Sequence, residues 1–266
     1  MTKTESRDAL PSLLPGFSVL LAKELLEARR SKRIIIFLVI MTGALLLIPL
    51  IGYARIEHVG DGARHVIGSD ALDRMLGTWA TLVGFLGSLM VIASTVDAMT
   101  HERSLGVTAW IVTKPVSRVS YLMSKAVAHA IIACVTLVLL PSLVWLVVMI
   151  ALFANVPVTQ VFGGTAILCV EMCFLSFSIV ALGVPLRSVA PIAVIALALW
   201  FLPNIVPAIE SLRWTYRVLP SYLPLAALSA SLGETRGFTI TVPLAALVIA
   251  ALAFVLAVFW FEGQEL

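Results

Sequence analysis

The stretch "IIIFLVIMTGALLLIPLIGYA", residues 34–54, contains no charged side chain. A membrane-spanning helix needs about 20 mostly apolar residues. The run is continuously apolar rather than alternating, so it reads as a helix and not as a barrel strand. Five further segments are similarly long and mostly apolar: 79–99, 126–152, 161–185, 188–208 and 239–261, with Asp97 in the first and Glu171 in the third. The expected fold is an all-α membrane protein with six transmembrane helices across residues 34–266. Composition agrees, with 61% hydrophobic and 12% charged residues and a mean hydropathy of +1.06. Soluble domains carry roughly a quarter charged residues. So few charges cannot cover a globular surface, and most of this chain must face lipid or other helices.

An even number of spans puts both termini on one side. Twelve of the eighteen Lys and Arg residues fall on one set of connections: the first 33 residues, the 100–125 segment and Arg187. The other set holds Arg55, Arg64, Arg74, Arg213, Arg217 and Arg236. The positive-inside rule makes the first set cytoplasmic. The expectation is a multi-pass protein of the cell membrane with both termini inside. The first apolar run starts later than a signal peptide's would, so it reads as an uncleaved span. Tyr53, Trp79 and Trp260 fall at span ends, where amphipathic rings favour the interface. Trp145 and Trp200 fall inside spans and read as packing residues.

Residues 1–16 read as a disordered cytoplasmic N-terminus and 17–33 as an amphipathic interfacial helix. In the latter, Phe17, Leu20, Leu21, Leu25 and Ala28 recur at helical spacing. Lys23 and Glu27 are four apart, and Arg29, Arg30, Lys32 and Arg33 follow. Such a helix lies along the inner leaflet with its basic end near anionic headgroups. A plain juxtamembrane anchor is the simpler alternative.

The segment "THERSLGVTAWIVTKPVSRVSYLMSK", 100–125, is compact and polar between two apolar spans. Residues 102–113 can form a short helix carrying Leu105, Ala109, Trp110 and Val112, which Lys114-Pro115 stops. An apolar face rimmed by Glu102, Arg103 and Lys114 suits docking into a groove on a soluble partner. A helix resting on the bilayer is equally compatible with this composition.

This segment resembles the cytoplasmic loop between the second and third spans of type-2 ABC exporter permeases. That family has an acidic residue, a Gly, a Pro-x-Ser-Arg-like turn and a Lys at the next span. Glu102, Gly106, Pro115, Ser117, Arg118 and Lys125 occupy those places. Val107 departs from the Thr that many members have after the Gly; Thr108 follows one place later. "AKELLEARRSKR", 22–33, is similar to the same family's N-terminal helix through Lys23-Glu24-Leu25 and Arg29/Arg30. The resemblance implies that 100–125 is a coupling helix seated in a separate ATPase subunit. Glu102, Arg103, Leu105, Gly106, Trp110, Pro115 and Arg118 would do the coupling. It also implies a second permease copy or a paralogue as partner, because six spans are half of the usual twelve. The sequence has no Gly-Lys dipeptide, so the GxxxxGK phosphate loop is missing. ATP and magnesium are therefore expected in the partner subunit. No cofactor, metal or nucleic acid is expected on this chain, and it is not expected to be an enzyme.

Within the membrane, Glu171 is an acidic residue near the centre of a predicted span, about 15 Å below its outer edge. Intramembrane charge is a functional-site hypothesis by default. His129 lies at a different depth, so a direct pair is not expected. Glu171 is left facing a polar cavity, a dimer interface or apolar surroundings as the protonated acid, with substrate, proton and purely structural roles all open. Cys169 and Cys173 share one helix face and Glu171 points to the opposite one, so the three cannot make one metal site. His58 and His65 are no better placed as ligands. Gly77, Thr81, Gly84 and Ser88 form a small-residue pattern that permits close helix packing. Pro203 and Pro207 break the outer half of the fifth span. With Trp214 and Tyr216 in the following interfacial stretch they read as a candidate outer gate; the family carries similar re-entrant helices there.

Three functions are compatible with this. The leading one is an ABC exporter permease with a path for lipids, drugs or other amphipathic compounds. The second is an ABC-type mechanical subunit supporting cofactor maturation or envelope assembly without moving a solute. The third, an intramembrane enzyme using Glu171, Cys169 or His129, lacks the clustered acidic or His motifs such enzymes need.

Overall fold

The computed structural model describes residues 15–57, 64–98, 100, 117–153, 156–186, 188–201, 219–234 and 237–263. Among them there are helices and turns and no strand. The helices are α1 (Phe17–Arg30), α2 (Lys32–Glu57), α3 (Arg64–Thr95) and α4 (Arg118–Leu152). Then follow α5 (Val158–Leu182), α6 (Val189–Phe201), α7 (Leu223–Ser231) and α8 (Gly237–Glu262). Segments of α2, α3, α4, α5 and α8 are long and apolar enough to cross a membrane. That number is five, and the chain has the make-up of a multi-pass membrane protein. Helix α6 has 13 residues, about 20 Å at 1.5 Å per residue. This falls short of the roughly 30 Å hydrocarbon core. The remainder of the expected 188–208 span lies outside the described residues.

Helix α4 is 35 residues long, about 52 Å, and starts eight residues before the expected span. Ser117 caps it, its hydroxyl accepting the Ser120 N–H at 3.0 Å. Residues Cys134–Leu139 widen into a π-helical turn. Leu140 N–H there donates to the Val135 carbonyl, five residues back. Pro141 follows. It has no N–H to give its helix and its ring crowds the preceding turn, a common cause of such widening.

Helix α5 is central. It packs against α3, α4, α7 and α8, while α2 and α8 keep long apolar faces outward, among them Val39, Leu47, Leu244 and Leu256. Lipid tails accept such faces without cost, so exposure here is no defect. Because lipid is as apolar as leucine, helix association in it rests on close packing and hydrogen bonds. The expected small-residue stripe of α3 supplies that closeness. Leu228 of α7 lies against Gly77 and the Pro224 ring sits where a Gly84 Cβ would be; Gly87, outside the expected stripe, is covered by Met172 of α5.

The indole of Trp79 stacks on Trp145 with centroids 5.4 Å apart and donates its N–H to Ser142 at 3.0 Å. Trp79 is therefore fully buried among the helices. Gly164 makes room: a Cβ there would stand 2.7 Å from the Ala227 carbonyl and 3.3 Å from Trp79. Its neighbour Gly163 has open space at the same position. Gly164→Ala is expected to lower stability by about 1–3 kcal/mol through overpacking, whereas Gly163→Ala leaves it unchanged or slightly raised. Thermal unfolding of both variants in the same detergent checks this; equal midpoints would contradict the packing.

Candidate functional site

One end of the bundle gathers the polar side chains. Helix α1 starts at Gly16, whose φ of 82° suits a glycine. It ends with Arg29 and Arg30, cations in the last turn that favour the helix dipole. Ser31 alone separates it from α2, so the chain turns sharply and α1 runs along the first half of α4. Phe17, Leu20, Leu21, Leu25 and Ala28 are all half-buried, which makes them the covered side of the helix. Arg29 and Arg30 are exposed. Lys23 lies 3.7 Å from Glu24 and 3.6 Å from Glu27.

The packing of α1 on α4 creates an ion pair. Lys125 Nζ donates to Glu24 Oε1 at 3.0 Å, with the lysine side chain 2% and the glutamate 12% exposed. The ammonium also sits 5.4 Å from the Tyr121 ring centroid. One turn further along α4, His129 Nδ1 meets Thr95 Oγ1 of α3 at 3.5 Å. Just past the end of α3, Asp97 accepts from Arg33 of α2 at 3.1 Å. A cavity of about 230 Å³ opens among these helices. Glu24, Arg33, Asp97 and His129 line its polar side, and Phe37, Ile132 and Leu137 its apolar side.

Arg118 occupies the other flank. Its guanidinium donates to the carbonyls of Phe261 at 2.7 Å and Glu262 at 3.1 Å, and lies 5.7 Å from the Phe261 ring centroid. It thus caps the C-terminus of α8, where carbonyls lack helical partners and a cation suits the dipole. Tyr121 stacks on the same phenylalanine, centroids 6.2 Å apart. The first two turns of α4 therefore hold α1 through Lys125 and α8 through Arg118.

Of the coupling residues expected from sequence, Arg118 falls in this junction. Glu102, Arg103, Leu105, Gly106, Trp110 and Pro115 lie outside the described residues, as do Pro203, Pro207, Trp214 and Tyr216 of the expected outer gate and most of 1–16. The segment 101–116 nonetheless starts and ends here, between Thr100 and Ser117. Sequence reading singled out both Lys125 and Glu24 and did not pair them. They are 101 residues apart, and no local spacing signals the match.

Glu171 makes a second polar site, deep in the bundle and 1% exposed. Its Oε1 accepts from Ser88 Oγ of α3 at 2.8 Å and from Trp200 Nε1 of α6 at 3.3 Å. Its Oε2 packs against Gly84 and has no hydrogen-bond partner among the described residues. The carboxyl thus joins three helices. His129 is engaged with Thr95, and Ser88, expected only as a small packing residue, is a partner of Glu171. Among the described residues no group of His, Cys, Asp and Glu is placed to hold a metal ion. No family model matches the chain, and a search of curated proteins finds no match either.

Lys125→Met removes the nearest and most buried counter-charge of a nearly buried carboxylate, leaving it the partly exposed Lys23 at 3.7 Å. It is expected to cost about 3–5 kcal/mol, while the double variant Glu24→Gln/Lys125→Met recovers most of that loss. Thermal unfolding of the single and double variants in detergent measures the coupling, and additive losses would mean the pair does not couple. Glu171→Gln keeps an amide oxygen for Ser88 and Trp200. Glu171→Leu forfeits both bonds, each worth about 0.6–2 kcal/mol in a membrane. The leucine variant is expected to melt well below the glutamine one; equal melting would refute a bridging role.

Proposed function

We propose that this chain is the membrane permease subunit of an ATP-driven ABC transporter, of the exporter type. It works with a separate nucleotide-binding subunit and a second permease copy or paralogue. In this reading the chain crosses the cell membrane six times, with α6 and the residues after it as the fifth crossing and both termini cytoplasmic. Helix α1 is the interfacial helix, and 101–116 carries the coupling helix. The chain does no covalent chemistry; ATP and magnesium belong to the partner.

The observation that carries the reading is how the two ends of 101–116 are anchored. On one side, Asp97 is held by Arg33. On the other, Lys125 grips Glu24 and Arg118 grips the end of α8. A displacement of the segment would therefore reach α1, α2, α3, α4 and α8 together. A loop that only joined two spans would need none of these ties. Glu171 would then hold α3, α5 and α6 in register while the bundle moves, beside α7.

Trp110→Ala is expected to weaken capture of the ATPase by roughly thirtyfold, the effect of about 2 kcal/mol for a buried aromatic anchor. Glu102→Ala acts in the same direction, and both leave membrane insertion intact. Co-purification from membranes holding both subunits measures this, and undiminished capture in both variants would overturn the docking role. In reconstituted vesicles, ATP turnover that moves no amphipathic compound would replace the exporter reading with a mechanical role in cofactor maturation or envelope assembly.

A further inference from the structure

The chain has three cysteines, and they converge on one place. Cys134 begins the π turn of α4, and Cys169 and Cys173 stand one turn apart on α5. Cys134 Sγ lies 3.9 Å from Cys173 Sγ and 3.5 Å from the Cys169 carbonyl oxygen. All three thiols are free and half-buried. We propose that Cys134 and Cys173 are a covalent modification site: they close reversibly into a disulfide that pins the π turn of α4 to α5, leaving Cys169 as a thiol.

The geometry favours this pair. Disulfide closure brings the sulfurs from 3.9 Å to about 2.0 Å. Cys134 starts a wide turn, the part of α4 best able to give. Cys169 and Cys173 sit on the same helix face, but the contact of Cys134 with Cys173 is sulfur to sulfur, whereas its 3.5 Å contact with Cys169 is to the backbone carbonyl. The site is 16 residues into α4, about 24 Å from its start, so it lies in the apolar layer. The oxidant must therefore dissolve there, and a lipid-soluble quinone is the class that fits. Two S–H bonds break and one S–S bond forms. The two electrons and two protons pass to the quinone, which leaves as its hydroquinone. The inference does not depend on the transport reading.

The test uses the full chain in lipid nanodiscs, incubated anaerobically with decylubiquinone, then unfolded and labelled with a maleimide mass tag. Three tags are expected before quinone, one after it, and three again after dithiothreitol. One hydroquinone should appear per chain, and peptide mapping should give a Cys134–Cys173 link. Cys169→Ser should still close, whereas Cys134→Ser should keep both remaining thiols. Three tags persisting after quinone, a link through Cys169, or a link between two chains would each overturn the proposal. The wild-type counts decide it even where a variant fails to fold.

Discussion

The ion pair between Lys125 and Glu24 takes two charges almost entirely out of water. Desolvating one ion costs several kcal/mol, and only a well-placed counter-charge offsets this. That requirement ties α1 to the foot of α4 and sets the sharp turn at Ser31 into α2. It also brings α2 to where Arg33 reaches Asp97. A hydrophobic contact could hold α1 as firmly but would not select one register along α4.

The interior follows a different rule. Water is not expelled when helices associate in lipid, so shape and hydrogen bonds decide which faces meet. Gly84 and Gly164 admit Pro224 and the Ala227 carbonyl at distances that no side chain would allow. Trp79 fills the remaining gap against Trp145. Glu171 then joins α3, α5 and α6 through hydrogen bonds that lipid does not compete for. Small residues and one carboxyl thus do together what an apolar core does in water.

These two layers meet the proposed function from opposite ends. The polar junction connects several helices, as a point receiving force should. The interior contains the wide turn of α4 and the short helix α7. The three thiols gather at the start of that turn. A cross-link there would join two spans at the place where α4 can most readily change its turn.

Much of the architecture was readable from composition and run length. Lipid leaves a chain few choices, because every backbone N–H and C=O must be satisfied within its own segment, and twenty apolar residues in a row are then a helix. The helicity of 17–30 and the small residues of α3 were legible for the same reason: they depend on spacing along one helix. What spacing along one helix cannot show is which helix comes next to it. That Lys125 belongs with Glu24, Arg118 with the end of α8, Ser88 with Glu171, and Cys134 with Cys173 was decided by tertiary packing. Each pair joins segments far apart in the chain, and the contact exists only once the helices have chosen their neighbours.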